Sequence, residues 1–414
     1  MKWKAARLSV VLLCSGTALE AQTSWIDGVG DWFNFFNWSN GVPNSGSATS
    51  FDAQINNGGI AQIFSPGASV RRITLGNLSG QGGGLLVDLG SLNVTENLRL
   101  GENGGMGNMT IRNDADVSAS QTILGVFSGS GLMTVSGNGS TLTSSTLILA
   151  ELASGTMVVR DGGDVSGFYV SLANASTSAL GRLTVTGTGS TLTADDTLWI
   201  GRAGVGEVTV DTGGAVTAPI IDMGSNTFGN GFVTVTGAGS TITSTNTFLV
   251  GNNGVGTLIV SAGGRANSIA MGVGFMSNSF GTVTVTGAGS RLVDTFNSIY
   301  IGYDGAGTLN IADGGIVTVN SGFGTVVVGG TANGGASTLR IGQGAAPGTL
   351  QANSVSLFRA NSQLELNHTG IIAFTPVISG SGSVIQVANG TTTLTANNTF
   401  TGPVTVRVVV PLPT

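Results

Sequence analysis

The side chains that could do chemistry in this sequence are few, and most of them are aspartates. The closest pairs in the sequence are Asp114 with Asp116, Asp161 with Asp164, and Asp195 with Asp196. Paired carboxylates act as general acid and base, or as acid and nucleophile, in the hydrolysis of glycosidic bonds. An enzyme that acts on polysaccharides, a lyase or a glycoside hydrolase, is therefore the catalytic function that deserves comparison with a non-enzymatic one.

These candidates are better explained by turns than by catalysis. Asp161 and Asp164 flank Gly162 and Gly163, and aspartate is common in such turns because it hydrogen-bonds to nearby backbone. The only histidine, His368, lies in "LELNHTG" without a recognisable Ser or Asp partner, so we expect it at the surface. No Gly-Gly-x-Gly-x-Asp repeat indicates calcium. We expect no catalytic residue, no metal and no cofactor, hence no enzyme.

The elements that must position every side chain are repeats. "VTVTGAGSTITSTNTFLVG", from Val233, recurs in similar form from Met133, Leu183 and Val283, always 50 residues apart. A shorter pattern, Gly-x-apolar-x-(Val/Ile), recurs every 24 to 26 residues. It begins at Gly107, Gly131, Gly155, Gly181, Gly206, Gly231, Gly256, Gly281 and Gly307. Each 50-residue repeat therefore holds two unequal units of about half that length.

Each unit has the pattern of short strands separated by turns. In "FVTVTG", apolar and threonine residues alternate with a period of two, and Gly-rich turns such as "GNNGVG" follow. A unit of this size cannot bury its apolar face alone, but stacked units spaced at ~4.8 Å can. The repeats predict a right-handed parallel β-helix rather than a propeller or a stack of hairpins. We expect inward side chains at Val233, Val235, Leu258, Val260, Val283 and Val285.

The chain ends differ from the repeats. In residues 1–21, Lys2, Lys4 and Arg7 precede an apolar run and small residues, the pattern of a secretory signal peptide. We divide the rest into an aromatic N-terminal cap at 22–64, β-helix repeats at 65–345 and C-terminal coils at 346–414. The net charge is −6 without a Lys/Arg cluster in the mature part, which argues against nucleic-acid binding.

The aromatic cluster before the repeats has two interpretations. Trp25, Trp32 and Trp38 stand with three phenylalanines in a short stretch that lacks the repeat pattern. Because the end of a β-helix exposes unpaired strand edges and apolar core, we expect the cluster to form a cap. The alternative is a platform on which sugars stack.

The repeat phrases resemble a known family pattern. "VTVTGAGS…LxIGxxGxGxLTVxxGGxV" resembles the type V secretion/PEP-CTERM-associated repeat of bacterial autotransporter passengers and other exported surface proteins. "WIDGVGDWFNFFNWSNGVPNSG", from Trp25, is similar to the start of many passengers. "GTTTLTANNTFTGPVTV", from Gly390, is similar to the passenger-associated strand repeat. The resemblance implies export from a Gram-negative bacterium to the cell surface or outer-membrane exterior, or secretion.

The C-terminus departs from that family. Neither the outer-membrane translocator barrel of an autotransporter nor a Pro-Glu-Pro sorting tail follows Val406, and the sequence ends in "VRVVVPLPT". Truncation, a free secreted passenger and a shifted reading frame all remain open. We expect a stiff, adhesin-like structural passenger that displays surface for adhesion or aggregation.

One outward surface could make that contact. In alternate units, large apolar residues precede the end of the last strand, at positions predicted to point outward: Ile148, Trp199, Leu249 and Tyr300. The matching residues of the intervening units are Ser171, Asp222 and Ala270. Spaced by ~10 Å, the four large residues would form a ladder for surface glycans or neighbouring rods. Alternatively, they are covered by loops that carry Phe228, Phe275 and Phe280.

Overall fold

The chain folds into a parallel β-helix, and this confirms the fold class expected from the repeats. The computed structural model describes residues 22–44, 52–331 and 334–407. The predicted signal peptide and the last seven residues lie outside these described ranges. Two long parallel sheets wrap one apolar core, and the chain passes from one sheet to the other in every coil.

Sheet 1 contains one strand from each coil. Successive strands pair in parallel, so that the sheet extends from Val29 to Val406, roughly 70 Å at the usual strand spacing. Its sixteen strands are β2 Val29–Asp31, β4 Ile60–Ile63, β7 Gly82–Asp88, β9 Met106–Arg112, β11 Ser130–Ser136, β13 Ser154–Arg160, β15 Leu180–Thr186, β17 Val205–Asp211, β19 Asn230–Thr236, β21 Val255–Ser261, β24 Phe280–Thr286, β27 Ala306–Ala312, β30 Ser337–Ala345, β33 Ser362–His368, β36 Ser383–Gln386 and β38 Val404–Val406.

Sheet 2 contains the rest of each coil. Its twenty strands are β1 Gln22–Ser24, β3 Asp52–Ile55, β5 Ala68–Val70, β6 Ile73–Leu75, β8 Ser91–Leu100, β10 Asp116–Leu124, β12 Thr141–Leu149, β14 Asp164–Leu172, β16 Thr191–Ile200, β18 Ala215–Met223, β20 Thr241–Val250, β22 Arg265–Ser268, β23 Ala270–Val273, β25 Arg291–Asp294, β26 Ser298–Ile301, β28 Ile316–Val319, β29 Thr325–Val328, β31 Thr349–Gln351, β32 Ser354–Leu357 and β35 Val377–Gly380. A separate pair is formed by β34 Ile371–Phe374 and β37 Thr391–Leu394, and Phe35–Asn37 and Asn320–Gly322 form 3₁₀ turns.

Sheet 2 bends in the middle of each coil, which gives the rod three faces. The register shifts between Thr193 and Thr197 of β16, and further on the two halves become separate strands such as β22 and β23. We call sheet 1 face 1, the half of sheet 2 before the bend face 2, and the half after it face 3. The faces meet at three corners. The first corner joins face 1 to face 2, the second is the bend within sheet 2, and the third is the turn that joins face 3 to face 1 of the next coil.

The core consists of the inward side chains of all three faces. Val233, Val235, Leu258, Val260, Val283 and Val285 are all buried, as predicted. Thr234 lies between two of them and is partly exposed. The burial alternates with a period of two, which is the consequence of a strand with one face on the core.

The repeated glycine marks a corner with no room for a side chain. From Gly107 to Gly307 the glycines of the repeat pattern pair with one another in register along sheet 1. A Cβ atom at Gly231 would lie 2.4 Å from the carbonyl oxygen of Ile200 and 2.9 Å from Cβ of Met223. Only glycine lets the backbone approach the preceding coil this closely.

The two kinds of coil differ in where they place their turn residues. In one kind the first corner is Gly-x-Gly-Ser, and its serine is buried: Ser140, Ser190, Ser240 or Ser290. The serine Oγ accepts the backbone N–H of the turn in the preceding coil, as from Gly162 to Ser190 at 3.1 Å. That preceding coil has a Gly-Gly turn and a longer third corner. We call the two kinds Ser coils and Gly-Gly coils, and their alternation produces the 50-residue period.

The ends of the rod belong to the same sheets. In the predicted cap, β1 pairs with β3 and β2 with β4, so the sheets begin at Gln22. Towards the other end, β34 pairs with β37 rather than with β31, the face 2 strand of the preceding coil. A cavity of about 720 Å³ opens there, lined among others by Leu350 and Phe374.

Candidate functional site

Three of the four predicted ladder residues lie partly exposed on face 3. Trp199, Leu249 and Tyr300 each lie between two buried residues of one strand, and all three belong to Ser coils. Ile148 is different: it is only 7% exposed and packs with Ile123 and Val126 in a small cluster outside the main core. The prediction that Ile148 points away from the core is met, but the turn carrying Val126 covers it.

Of the smaller residues predicted to lie between the ladder residues, two are in the predicted column and the third is not. The register pairs Ser171 with Trp199, Asp222 with Leu249, and Gly272 with Tyr300. Ala270, predicted for this column, instead pairs with Thr247, two residues before Leu249. The strand β23 continues to Val273, and Gly274, with φ of 67°, takes the turn position that Gly224 takes one repeat earlier.

The surroundings of Trp199 are already filled. The ring of Tyr169, from the preceding coil, lies 5.5 Å from the Trp199 ring at an interplanar angle of 31°. The Arg202 guanidinium lies 4.7 Å from the Trp199 ring centre, and its Nη1 donates to Oδ1 of Asn174 at 2.9 Å. A cation over an indole face is a stabilising contact. Trp199 therefore acts here mainly as a packing residue, with one side open to solvent.

A buried carboxyl lies between Trp199 and Leu249. Asp222 is 8% exposed, and Nδ2 of Asn252, from the next coil, donates to its Oδ2 at 3.2 Å. Burial raises the pKa of Asp222, against the hydrogen bonds of Asn252 and Ser225 and the charge of Arg202. Oδ1 of Asp222 and Oδ1 of Asn252 are both buried without a donor. A proton on Asp222 would satisfy both, since it lets the acid donate to the amide oxygen.

The next interval of face 3 contains a cavity, which we call the slot. It has a volume of about 240 Å³ and lies between Leu249 and Tyr300, over Ala270 and Gly272. A Cβ atom at Gly272 would lie 2.9 Å from Cδ2 of Phe275 and 3.1 Å from Cδ2 of Leu249. The space directly over Gly272 is therefore taken by Phe275 and Leu249, and the open space lies over Ala270.

Two phenylalanines from loops form the sides of the slot. Phe275 stacks on Tyr303 with ring centres 5.2 Å apart, and its N–H donates to the Gly251 carbonyl at 2.9 Å. Phe296 is 50% exposed, and its N–H donates to the Ile269 carbonyl and to Oδ1 of Asp294. Both aromatic walls are thus held through their backbone, and the Phe275 ring is held further by its stacking on Tyr303.

A polar cavity, which we call the notch, adjoins the slot at the third corner. It has a volume of about 430 Å³ and lies between the loops of two Gly-Gly coils. Its lining is Ser225, Asn252, Asn253, Met276, Ser277 and Asp304. Met276 directly follows Phe275, so one loop separates the slot from the notch.

The loops named as the alternative covering do not close this face. Phe228 is 72% exposed and Phe280 is 58% exposed, whereas Phe275 is half-buried against Tyr303. Of the three, only Phe275 contributes to the ladder, as a wall of the slot. Sequence reasoning missed the slot. A sequence feature does indicate it. In each Gly-Gly coil, an outward residue lies two positions before the residue in the ladder column, and its side chain becomes smaller from coil to coil, from Tyr169 to Ile220 to Ala270.

The N-terminal tryptophans form a compact buried cluster. Trp25 and Trp32 each meet Trp38 edge to face, with ring centres 5.0 and 4.8 Å apart, and all three rings are buried. The indole N–H of Trp38 donates to the Trp32 carbonyl at 2.8 Å. The geometry is that of packing at the end of the rod, and it leaves no free indole face on which a sugar could stack.

The paired aspartates take part in turn and strand contacts. Asp116 and Asp164 accept hydrogen bonds from Thr141 and Thr191 of the following coils. Asp161 pairs with Arg160, with 3.1 Å between Oδ2 and Nη1, and Asp196 accepts from Thr197 at 2.8 Å. The partners of these four carboxylates are hydroxyl and guanidinium groups, not a second carboxyl. Each of the four is thus bound to a neighbouring side chain.

The expectation of a surface histidine is wrong. His368 is fully buried, and its ring nitrogens lie 3.1 Å from the Gly370 carbonyl and 2.9 Å from Oγ1 of Thr392. Burial lowers its pKa. In β33 the inward residues alternate as Leu364, Leu366 and His368, so the period of "LELNH" places the imidazole on the core side.

The described residues contain neither a cluster of potential metal ligands nor a long apolar helix. Across residues 22–44, 52–331 and 334–407, the His, Cys, Asp and Glu side chains form no group of three or more that could hold a metal ion. In the same part of the chain, no helix has the length and apolar character needed to cross a membrane.

Comparisons with known proteins give similarity to solved structures but not to sequences. No family model matches the chain, and no curated protein matches it in sequence. Among solved structures, the chain is similar to a fragment of TibA, residues 55–350, hyper-glycosylated by TibC. The two share 16% identity with a TM-score of 0.42, and the alignment covers 93% of each chain.

Proposed function

We propose that this chain is an exported, surface-displayed β-solenoid passenger that makes adhesive contacts through face 3 and has no catalytic activity. Support for a rod comes from the parallel ladder of sheet 1, which continues from Val29 to Val406 over one apolar core. Such a solenoid is stiff because each coil is hydrogen-bonded to both neighbours. A stiff rod suits display at a distance from a surface.

The observation that supports the contact role is the exposure of the last two ladder residues, Leu249 and Tyr300. Leu249 and Tyr300 remain partly exposed beside a cavity walled by Phe275 and Phe296. Contiguous exposed apolar and aromatic surface in a soluble protein marks an interaction site more often than chance does. The contact is therefore centred on Leu249 and Tyr300, whereas Ile148 and Trp199 mainly support it.

The non-enzymatic assignment agrees with the surroundings of the carboxylates. Acids on several coils are paired with arginines, as Asp88 is with Arg112 at 2.8 Å and Glu365 with Arg340 at 2.8 Å. A general acid needs a raised pKa and access to substrate. Asp222 has the first property but lies covered between Trp199 and Leu249. Purified chain should release no product from pectin or alginate, and measurable release would overturn this assignment.

The adhesive role is tested by display. Residues 22–407 would be fused to an unrelated surface anchor on bacterial cells that do not aggregate, and cell settling and attachment to coated surfaces would be measured. The expected result is aggregation or attachment above that of cells carrying the anchor alone. Equal behaviour of the two kinds of cell at equal surface density would contradict the proposal.

A further inference from the structure

We propose that the slot binds one pyranose ring of an uncharged glycan and that the notch receives the next sugar residue. This inference rests on the proposed adhesive function, because it names the partner class for the same face. It depends on two neighbouring cavities of opposite character, one apolar and aromatic and one polar.

The size of the slot fits one ring. At ~30 Å³ per water molecule, a volume of about 240 Å³ corresponds to roughly eight waters. The notch adds about 430 Å³ on the other side of Phe275 and Met276. Together the two cavities fall within the usual range for small-ligand sites. A single aromatic side chain of a protein partner would occupy the slot alone and leave the notch without a function.

The chemistry of the slot fits the apolar face of a sugar ring. Leu249, Phe275 and Phe296 present apolar surface to the C–H face of a pyranose. The lining of the slot is almost wholly apolar, so the hydroxyl groups at the edge of the ring would turn to solvent and to the polar side chains of the notch. An apolar pocket beside a few polar groups is typical of specific ligand sites.

The notch supplies groups that bind hydroxyls. Asn252 and Asn253 form its base, and Ser225 and Ser277 line it from the two loops. Sugar hydroxyls both donate and accept, so they suit a lining of amides and hydroxyls.

The charge of the site selects against acidic sugars. None of the residues that line the slot is charged. Asp304 lines the notch and adds a carboxyl group there. The chain as a whole has a net charge of −6. Uronic acids and sulfated sugars would be repelled, and we therefore assign an uncharged glycan.

The test uses a substitution that copies a neighbouring repeat. Ala270→Ile places in the slot the residue that Ile220 supplies one repeat earlier, so the strand tolerates it. Binding of cellohexaose, mannohexaose and maltohexaose to the purified chain would be measured by calorimetry, with oligogalacturonate and heparin as acidic probes. Phe296→Ser removes one aromatic wall and serves as a second variant.

The expected result is binding of at least one neutral hexasaccharide, weakened at least tenfold by Ala270→Ile and by Phe296→Ser. Ser356→Ile is the matched control, because Ser356 lies in the same column two coils beyond Tyr300. It should bind as the wild type does. No binding of any neutral probe, tighter binding of an acidic probe, or undiminished binding by Ala270→Ile would overturn the proposal.

Display of the same variants separates this inference from the proposed function. If cells carrying Ala270→Ile adhere as the wild type does, adhesion uses another surface and the slot assignment fails alone. If wild-type cells do not adhere while the purified chain binds a hexasaccharide, the adhesive role fails and the slot stands. Loss of self-association instead of sugar binding, measured by sedimentation, would identify a second copy of the chain as the occupant and contradict the glycan.

Discussion

Two intervals of face 3 are built from the same repeat, but they leave different amounts of space. Between Ile148 and Trp199 the outward residues of the Gly-Gly coil are Tyr169 and Ser171, and Tyr169 packs on Trp199. Between Leu249 and Tyr300 they are Ala270 and Gly272, and the slot opens. The comparison shows that backbone repeats set the positions on this surface, whereas a few side-chain volumes decide whether a position is filled or open to a ligand.

The largest effect should come from the core that both intervals share. Val235→Asp would place an unpaired charge in an apolar column, which we expect to lower stability by about 4 kcal/mol or more. Thermal unfolding followed by circular dichroism measures the loss. Thr234→Asp adds the same charge on the outer side and should change stability by no more than about 0.5 kcal/mol. Equal effects of the two substitutions would contradict the inward register of β19.

The stability of the open interval, the one between Leu249 and Tyr300 that contains the slot, should depend on pH. Asp294 is buried at an inward position, and its Oδ1 accepts the backbone N–H of Phe296, a wall of the slot. Ser268 Oγ donates to its Oδ2 at 2.7 Å. In the coil of Trp199, which borders the filled interval between Ile148 and Trp199, the same position is occupied by Ala194. Burial raises the pKa of Asp294 from 3.8 to about 7. The folded state therefore favours the protonated acid, so its contribution to stability is full below pH ~4 and is lost as pH rises to about 7.

Comparison of Asp294→Ser with the wild type isolates this contribution. The free energy of unfolding, measured by urea denaturation, should rise in the variant relative to the wild type by a few kcal/mol between pH 4 and 8. The wild type should lose protection of the Phe296 loop over the same range in hydrogen exchange. A difference that is constant with pH would show that Asp294 does not bind a proton in the folded chain.

A smaller effect should convert the closed interval towards the open one. Tyr169→Ala removes the ring that packs on Trp199, and we expect a loss of about 1 kcal/mol. Because Trp25, Trp32 and Trp38 are buried, acrylamide quenching reports mainly on Trp199 in the described chain, and it should increase. Phe228→Ala, at an exposed loop position, is the control. Unchanged quenching would mean that Tyr169 does not shield Trp199.

The sequence predicts the architecture because repeats report it many times. The period of two in "FVTVTG" determines which side chains face the core, and the nine glycines determine the register. The ladder follows from the same register: all four members lie in one column, and three of them are partly exposed. The alternation in "LELNH" also places His368 inward, because it lies two residues after the buried Leu366, whereas a surface position follows only from the residue type.

The slot was not predictable in the same way. In the sequence, Met223-Gly224 and Met271-Gly272 look like equivalent strand ends. In the structure, however, Met223 pairs with Val250, and Val250 pairs with Val273 rather than with Met271. The second Met-Gly pair is therefore offset by two residues, and only the left-handed φ of Gly274 shows where the strand ends. The walls come from loops whose lengths vary between coils, so no repeat pattern reports them.

The most direct test of the adhesive role compares Tyr300→Ser with Trp199→Ser on displaying cells, together with the melting temperatures of the purified variants. Tyr300 lines the open slot, and Trp199 is packed between Tyr169 and Arg202. We expect Tyr300→Ser to lose most attachment with little change in melting temperature, and Trp199→Ser to keep attachment with a lowered melting temperature. Full attachment by Tyr300→Ser with a lowered melting temperature would show that the ladder is packing and would contradict the account.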